Sequence, residues 1–599
     1  MKHRHALYGA FVASGVAGLV YEVLWSRYLA LFVGHGAFAQ VLVLAVYLGG
    51  MAAGALAASN LSRTLDRPLL GYALLEVALG AFGLVFHPVY VAVTTLGYDV
   101  LFPALADPSL VGAVRWGLAG LLILPQAMAL GATFPLMAAG LVRADPDHPG
   151  GGVARAYLLN TLGGAAGVLL AGFLLIGWFG FAGTSVAAAA LNLTAAFVAW
   201  RVAREVPVGR SGADRGAGIP EPAIEPSSEL PRLARLLLPV AFGTAVASFA
   251  YEIGWIRMLS LLLGSATHAF ELMLSAFILG LAIGAHLVTS LADRTRTPLR
   301  ALGRIQVAMG LAALASLPLY AASFDVVAAM VEAASGRTGG YALFNLGRYG
   351  LALLVMLPAT LLAGMTLPLL TATLMRAGAG ERAIGRVYAV NTVGAVSGSL
   401  LAGLVALPLL GLEGLILAGA ALDALLGLWI LTAVARGLPE PSGGSDDPIA
   451  APEPPRRRLR LIGAPAALCL VTFGAAAAAL DLDRTVLTSG VFRDAVIPDP
   501  DSRRLLYYQD GRTATVSAHV ALPEGVTVLS TNGKPDASVG PLWRMEGRDT
   551  LPETPIPSGS DFTTQMLVGL MGLGHRSAAA NVANIGTRLR HHGDDPAHQ

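Results

Sequence analysis

Apolar segments of about 20 residues, separated by short polar connections, recur along most of the chain. A helix of that length spans roughly 30 Å, the thickness of the hydrocarbon core of a bilayer. The first half contains six such segments, at 7–33, 37–59, 69–95, 113–141, 154–178 and 181–203. The second half contains six more, at 234–263, 267–290, 299–321, 346–375, 384–408 and 411–435, and a thirteenth stands apart at 461–480. The pattern predicts a mainly α-helical, polytopic membrane bundle.

The two halves share a sequence pattern. Tyr21-Glu22-Val23-Leu24-Trp25-Ser26-Arg27 returns 230 positions later as Tyr251-Glu252-Ile253-Gly254-Trp255-Ile256-Arg257, and residues 155–163 are echoed by 386–394. Because the spacing of these matches is maintained over most of each half, we predict a duplicated six-helix unit. Six is an even number, so both copies are expected to cross the membrane in the same orientation, as parallel repeats.

Stretches rich in Pro, Gly and charged residues interrupt the apolar pattern and divide the chain into units. The predicted units are membrane repeat 1 (1–203), a linker (204–231), membrane repeat 2 (232–436), a second linker (437–460), the thirteenth helix (461–480), a β-rich segment (484–586) and a polar tail (587–599).

Composition excludes several classes of protein. With 55% hydrophobic and 13% charged residues, the chain is not a soluble globular protein. The single cysteine, Cys469, provides neither a disulfide framework nor a thiolate metal site. Nearly all cations are arginines between the apolar segments, which indicates membrane topology rather than a nucleic-acid partner. We therefore expect a multi-pass protein of a bacterial inner membrane with a cytoplasmic N-terminus. The side of the C-terminal segment depends on the thirteenth helix alone.

Charged residues within the apolar segments are the first candidate site. Glu22, Arg27, Glu252 and Arg257 are costly to bury in a bilayer, so they need partners or a water-filled cavity. Two interpretations stay open: a path for cations or protons, or ion pairs that fix helix packing. At a spacing of five residues the two side chains diverge by about 140° around a helix, so each is expected to meet a partner on another helix.

Two further membrane acids are not repeated. Glu76 corresponds to Gln306 in the second half, and Glu271 corresponds to Val41 in the first. Such asymmetry is compatible with a substrate path and equally with local pairing.

Other polar or helix-breaking positions are repeated. Gly131–Pro135 and Gly364–Pro368 indicate either helices broken at a binding site or simple proline kinks. Asn160 and Asn391 are predicted to bond across helices rather than to bind substrate.

The polar C-terminal segment is predicted to form short strands. These are Arg503–Gln509, Arg512–Val520 and Val526–Thr531, with Asp510-Gly511 as a two-residue hairpin turn.

Three stretches of this segment resemble the entry of a spermidine synthase domain, the aminopropyltransferase family: Tyr507–Val516, Thr531–Ser538 and Asp561–Gln565. Together with the duplicated membrane region, the chain resembles bacterial fused major-facilitator-like/spermidine synthase membrane proteins. The resemblance implies cofactor-binding roles for Gln509, Gly533, Asp536, Asp561 and Gln565, and decarboxylated S-adenosylmethionine as the donor in complete relatives.

The resemblance ends at about residue 586. The family continues with a glycine-rich strand-to-helix turn and its catalytic aspartate, whereas this chain continues with a polar tail in which His591, His592, Asp594 and Asp595 are not expected to bind metal. We therefore expect an incomplete aminopropyltransferase-like domain with no catalytic residue, no bound cofactor and no activity of its own. The alternatives are a major-facilitator-like transporter of polyamines or another small cation, and a membrane scaffold. The lipid bilayer is the expected partner, together with a small cationic substrate, and no nucleic acid is expected.

Overall fold

The computed structural model confirms the predicted fold class: a polytopic helical bundle of two six-helix repeats and a thirteenth helix, followed by a small β-sheet. It describes residues 2–34, 36–105, 107–144, 149–205, 230–264, 268–335, 340–379, 381–441, 455–479, 482–511, 514–522 and 525–539. The predicted polar tail, Asp561, Gln565 and most of both predicted linkers lie outside these ranges.

Thirteen long helices are present in the described part of the chain. The first repeat has α1 (Lys2–Val33), α2 (Gly36–Thr64), α3 (Pro68–Leu96), α4 (Pro108–Ala144), α5 (Pro149–Leu170) and α6 (Ile176–Glu205). The second has α7 (Leu230–Leu263), α8 (Ala269–Arg294), α9 (Pro298–Ala334), α10 (Gly340–Arg376), α11 (Glu381–Leu401) and α12 (Leu407–Ala435). The last long helix is α13 (Pro455–Ala479), which packs on α9 and α12. The helices of both repeats generally extend a few residues beyond the predicted apolar segments.

Ten stretches in the described residues are long and apolar enough to be membrane spans. Two of these, Arg155–Glu205 and Arg386–Ala435, are 51 and 50 residues long, so each holds two spans. The chain turns between them at Gly180 and Gly411, whose φ angles are +63° and +72°. A glycine is favoured at these positions because other residues are strained at positive φ. A shorter apolar helix, Leu42–Ala58, is also found within α2 among the described residues.

The two repeats pack in the same pattern. Within the first, α1 packs on α5 and α6, α2 on α4, and α3 on α6. The second repeat has the same contacts between the corresponding helices: α7 packs on α11 and α12, α8 on α10, and α9 on α12. The repeats meet through α2 with α11 and through α5 with α8, which are also corresponding pairs. The interface is therefore two-fold symmetric in its helix contacts.

Glycines allow the closest helix crossings. A Cβ atom added to Gly131 in α4 would lie 1.9 Å from the Met51 carbonyl oxygen in α2, and one at Gly364 in α10 would lie 2.2 Å from that of Leu281 in α8. The interpretation of these Gly–Pro stretches as broken helices is wrong, because Pro135 and Pro368 lie inside continuous helices. The repeated glycine is required by backbone approach, which small residues permit in membranes.

The C-terminal region begins with two short helices, α14 (Arg484–Leu487) and α15 (Val491–Asp494). An antiparallel sheet in the order β1-β2-β3-β4 follows, with β1 (Arg503–Asp510), β2 (Thr515–Ala521), β3 (Val526–Thr531) and β4 (Lys534–Val539). The predicted two-residue turn is wrong. Asp510 stays in β1 opposite Thr515, because its carboxylate accepts a 2.7 Å hydrogen bond from the Thr515 hydroxyl. Asp510 and Thr515 are therefore the last paired residues of the β1–β2 hairpin, and β4 is an additional strand.

His519 makes the sheet sensitive to acid. The side chain is buried in β2, and burial together with nearby Arg503 lowers the pKa of His519 to about 4. The unfolded strand binds a proton more tightly than the folded one, so stability is complete above pH 6.5 and falls as the pH drops towards 4. At pH 5 we expect the protection of β2 amides in the full chain to be about 30-fold lower than at pH 7. Hydrogen exchange, corrected for its intrinsic pH dependence, measures this loss, and His519→Gln should remove most of it. Equal losses in both proteins would contradict the assignment to His519.

Candidate functional site

Two carboxylates from the repeated string lie between the helical repeats. Glu22 in α1 and Glu252 in α7 are 6% and 4% exposed, respectively. They are close enough to interact electrostatically with each other, although they belong to different repeats. Neither carboxylate has a hydrogen-bond or ion-pair partner in the part of the chain that the structure describes. The duplication thus brings two buried acids from different repeats close together.

Tyrosines extend this central site. Tyr47 of α2 interacts electrostatically with Glu22 and with Tyr388 of α11, and Tyr388 in turn interacts with Tyr157 of α5. Tyr157 and Tyr388 occupy the same position in the two repeats, so they form a second symmetric pair. Tyr157 is 42% exposed. We call Glu22, Glu252, Tyr47, Tyr157 and Tyr388 the central site.

The repeated arginines do not pair with the glutamates of their own helices. Arg27 forms an ion pair with Glu271 of α8, which links the first repeat to the second. Glu271 lies against Gly172, where an added Cβ atom would be 2.5 Å from the Glu271 Cγ atom. Arg257 instead donates a 3.3 Å hydrogen bond to the Gly511 carbonyl in the turn after β1. The divergence around each helix explains why both arginines find partners elsewhere.

Glu76 belongs to a separate cluster inside the first repeat. Its carboxylate accepts 2.6 Å hydrogen bonds from the Ser14 hydroxyl and from the Asn192 side-chain amide. All three residues are at most 3% exposed. Glu76 is therefore a buried, hydrogen-bonded acid of the helix bundle, remote from the contacts that define the central site.

The second repeat contains the same cluster with its acid and amide exchanged. Thr244 corresponds to Ser14, Gln306 to Glu76, and Asp423 to Asn192. The Tyr251 hydroxyl donates a 2.6 Å hydrogen bond to Asp423, and Thr244 contacts both Gln306 and Asp423. Sequence reasoning missed Asp423. The signal was available, because Asp423 is an isolated acid in an apolar segment, as Glu76 is.

The repeated asparagines lie at helix contacts or nearby. The backbone carbonyl oxygen of Asn160 would be 2.2 Å from a Cβ atom at Gly15, and its side-chain oxygen would be 2.8 Å away. Asn160 thus lies where α5 closely approaches α1. Asn391 is half-buried in α11. The aromatic residues of the repeated string pack within each bundle, with the Tyr21 and Trp25 rings stacked at 5.7 Å between centroids.

Three of the five residues suggested by the spermidine synthase resemblance lie in the part of the chain that the structure describes, and they are spread over the sheet. Gln509 lies in β1 and accepts a hydrogen bond from the Tyr507 hydroxyl. Gly533 forms the turn between β3 and β4 with a φ of +75°, and Asp536 is exposed in β4. Because β1 and β4 are the two edges of the sheet, three interstrand spacings, about 14 Å, separate them. The predicted cofactor-binding roles stay predictions.

No protein-family model and no curated protein matches the chain. Among solved structures, it is similar to a variant of the Escherichia coli fucose:proton symporter FucP, at 14% identity and a TM-score of 0.42 over 71% of this chain and 97% of that one. A Major Facilitator Superfamily transporter, FucP in the outward conformation, shows 14% identity and a TM-score of 0.37 over the same shares. Both TM-scores are below 0.5, so this likeness does not decide the function. The resemblance to spermidine synthases finds no support in these comparisons.

Proposed function

We propose that the chain is a membrane transporter that binds a small organic cation between Glu22 and Glu252. The observation that carries the proposal is the approach of two buried carboxylates that have no partner in the described part of the chain. When both are ionised, two carboxylates in a membrane interior lose hydration and repel each other. A bound cation offsets both costs. A purely structural role would leave them without compensation.

The tyrosines favour an organic cation over a metal ion. Aromatic rings attract ammonium groups and also contact the apolar part of a solute. Calcium requires six to eight oxygen ligands, more than two carboxylates supply. No group of three or more His, Cys, Asp or Glu residues that could hold a metal is found among the described residues. A diamine or polyamine, with ammonium groups joined by an apolar chain, would satisfy both carboxylates.

The parallel repeats support transport by alternating access. In transporters with such repeats, the substrate binds near the membrane midplane and the halves move around it. The central site lies between the repeats, and the Arg27–Glu271 ion pair joins them on one side of it. This pair would have to separate when the repeats move apart on that side. It is therefore the proposed gate of the transporter.

Transport currents test the proposal directly. We expect purified protein in proteoliposomes on a solid-supported membrane to give a saturable current when putrescine or choline is added. A neutral sugar at the same concentration should give none, and protein-free liposomes should respond to neither. Transport of the sugar without transport of either cation would overturn the cation site. The absence of transport for all three solutes would contradict the proposed function for these substrate classes.

A further inference from the structure

The C-terminal region contacts the second repeat at three positions where the first repeat has no equivalent contact. Arg257 is the first position. Its counterpart Arg27 pairs with Glu271 of α8, but the residue of α2 that corresponds to Glu271 is Val41. The first repeat therefore supplies no acid to Arg257 at the symmetric position. The turn after β1 contacts Arg257 instead, through the Gly511 carbonyl and the electrostatic attraction of Asp510.

The second position is the break near the start of the last helix of each repeat, at Gly180 in α6 and Gly411 in α12. At Gly411 the helix restarts, and the Leu412 backbone N–H donates a 3.1 Å hydrogen bond to the Asp510 carboxylate. A carboxylate at this place satisfies an otherwise free N–H and complements the positive end of the helix dipole. The corresponding residue in the first repeat is Gly180. A Cβ atom added there would meet no described atom within 4 Å, whereas at Gly411 it would lie 3.2 Å from Asp510.

The third position follows the repeated string. A Cβ atom at Gly264, just after α7, would lie 2.7 Å from the Phe492 ring of α15. At the corresponding Gly34 it would meet no described atom within 4 Å. The helix α15 packs on both α7 and α9, and β1 packs on α12. The helices α7, α9 and α12 all belong to the second repeat.

Asp510 is held in place for this contact. One carboxylate oxygen accepts hydrogen bonds from the Tyr508 hydroxyl at 2.9 Å and the Thr515 hydroxyl at 2.7 Å, which leaves the other for Leu412. The residue is 9% exposed. Contacts within the sheet therefore fix the orientation of the Asp510 side chain towards Leu412.

We infer that the C-terminal region is a built-in cap of the second repeat, in which Asp510 acts both as the counter-ion of Arg257 and as the N-cap of the last membrane helix. The cap replaces the acid that the first repeat lacks at position 41. Its described helix α15 and strand β1 pack on helices of the second repeat, so the cap can move with that repeat as a unit. This inference is independent of what the central site binds.

Hydrogen exchange of the full chain in nanodiscs tests the cap. In Asp510→Asn we expect about tenfold faster exchange in the segment 411–416, because the carboxylate cap of Leu412 is lost. The corresponding segment 180–185 should be unchanged. The matched control is Asp536→Asn, which removes an exposed carboxylate from the same sheet. Unchanged exchange at 411–416 in Asp510→Asn, or an equal rise in the Asp536 variant, would overturn the inference.

A rescue separates the two roles of Asp510. Asp510→Asn should also speed exchange at 257–264, because the counter-ion of Arg257 is lost. Val41→Glu places an acid at the position that matches Glu271, so in the Asp510→Asn background it should restore protection at 257–264 but not at 411–416. If Asp510→Asn alone does not accumulate in the membrane, accumulation of the double variant supports the counter-ion role. If Val41→Glu restores neither protection at 257–264 nor accumulation of the protein in the membrane, Asp510 is not the counter-ion of Arg257.

Discussion

Replacing Glu22 or Glu252 by glutamine is expected to weaken the binding of the transported cation about 100-fold. Glutamine preserves the shape of the side chain and removes its charge. Because each carboxylate is buried, the attraction to a bound ammonium group is little screened by water, and removing one partner of such a pair costs roughly 2–5 kcal/mol. The two variants should be affected alike, since the residues occupy equivalent positions in the repeats.

The measurement is the concentration dependence of the putrescine current in proteoliposomes. Glu332→Gln is the matched control, because it removes an exposed acid near the end of α9 and should leave the current unchanged. Equal melting temperatures of the purified proteins would show that the fold is intact. If both charge-removing variants transported putrescine with normal affinity, the central carboxylates would not bind the solute.

The double variant Glu76→Gln/Asn192→Asp is expected to keep the stability of the protein, whereas either substitution alone should lower it. Asn192→Asp alone places a second acid against Glu76. Glu76→Gln alone replaces one of the two carboxylate oxygens, each of which accepts a 2.6 Å hydrogen bond, by an amide N–H donor. Disrupting a buried charged network in this way costs roughly 3 kcal/mol. The double variant reproduces the amide and acid order of Gln306 and Asp423, which the second repeat already accommodates.

The Tyr21 hydroxyl gives the exchange a structural basis. It is buried without a hydrogen-bond partner among the described residues, whereas its counterpart Tyr251 donates to Asp423. The carboxylate created by Asn192→Asp in the double variant would offer Tyr21 the same acceptor. Thermal unfolding of the detergent-solubilised protein measures the effect. A double variant that is no more stable than the worse single variant would show that the two clusters are not interchangeable.

The membrane part of the fold was predictable because one physical quantity dominates it. A helix must present about 20 apolar residues to cross the hydrocarbon core, and a run of this length can be recognised in the sequence. The duplication could also be recognised, because Glu22 and Arg27 recur with the same spacing as Glu252 and Arg257. Charged residues within apolar segments also identified the candidate site, because burying them in lipid is costly.

Sequence alone did not predict the contacts between helices. A glycine followed by a proline is typical of a helix break, but Gly131 instead allows the Met51 backbone to approach α4 closely. This role depends on how α2 crosses α4, which the sequence does not show. The predicted hairpin turn failed because Asp510 is retained in β1 by Thr515, so the turn follows it. The hydrogen bond between Tyr251 and Asp423 was not predictable, because the two residues are 172 positions apart.

The sequence by itself determined that the chain crosses the membrane as two related six-helix units, and that each unit carries a glutamate and an arginine where lipid tolerates neither. Only the tertiary structure decided the neighbours of these groups: Glu22 lies near Glu252, Arg27 pairs with Glu271 across the repeats, and Arg257 contacts Gly511 after β1. The reason is physical. Hydrophobic length is a local property of each helix, whereas the partner of a buried charge is set by the packing of helices that are distant in sequence.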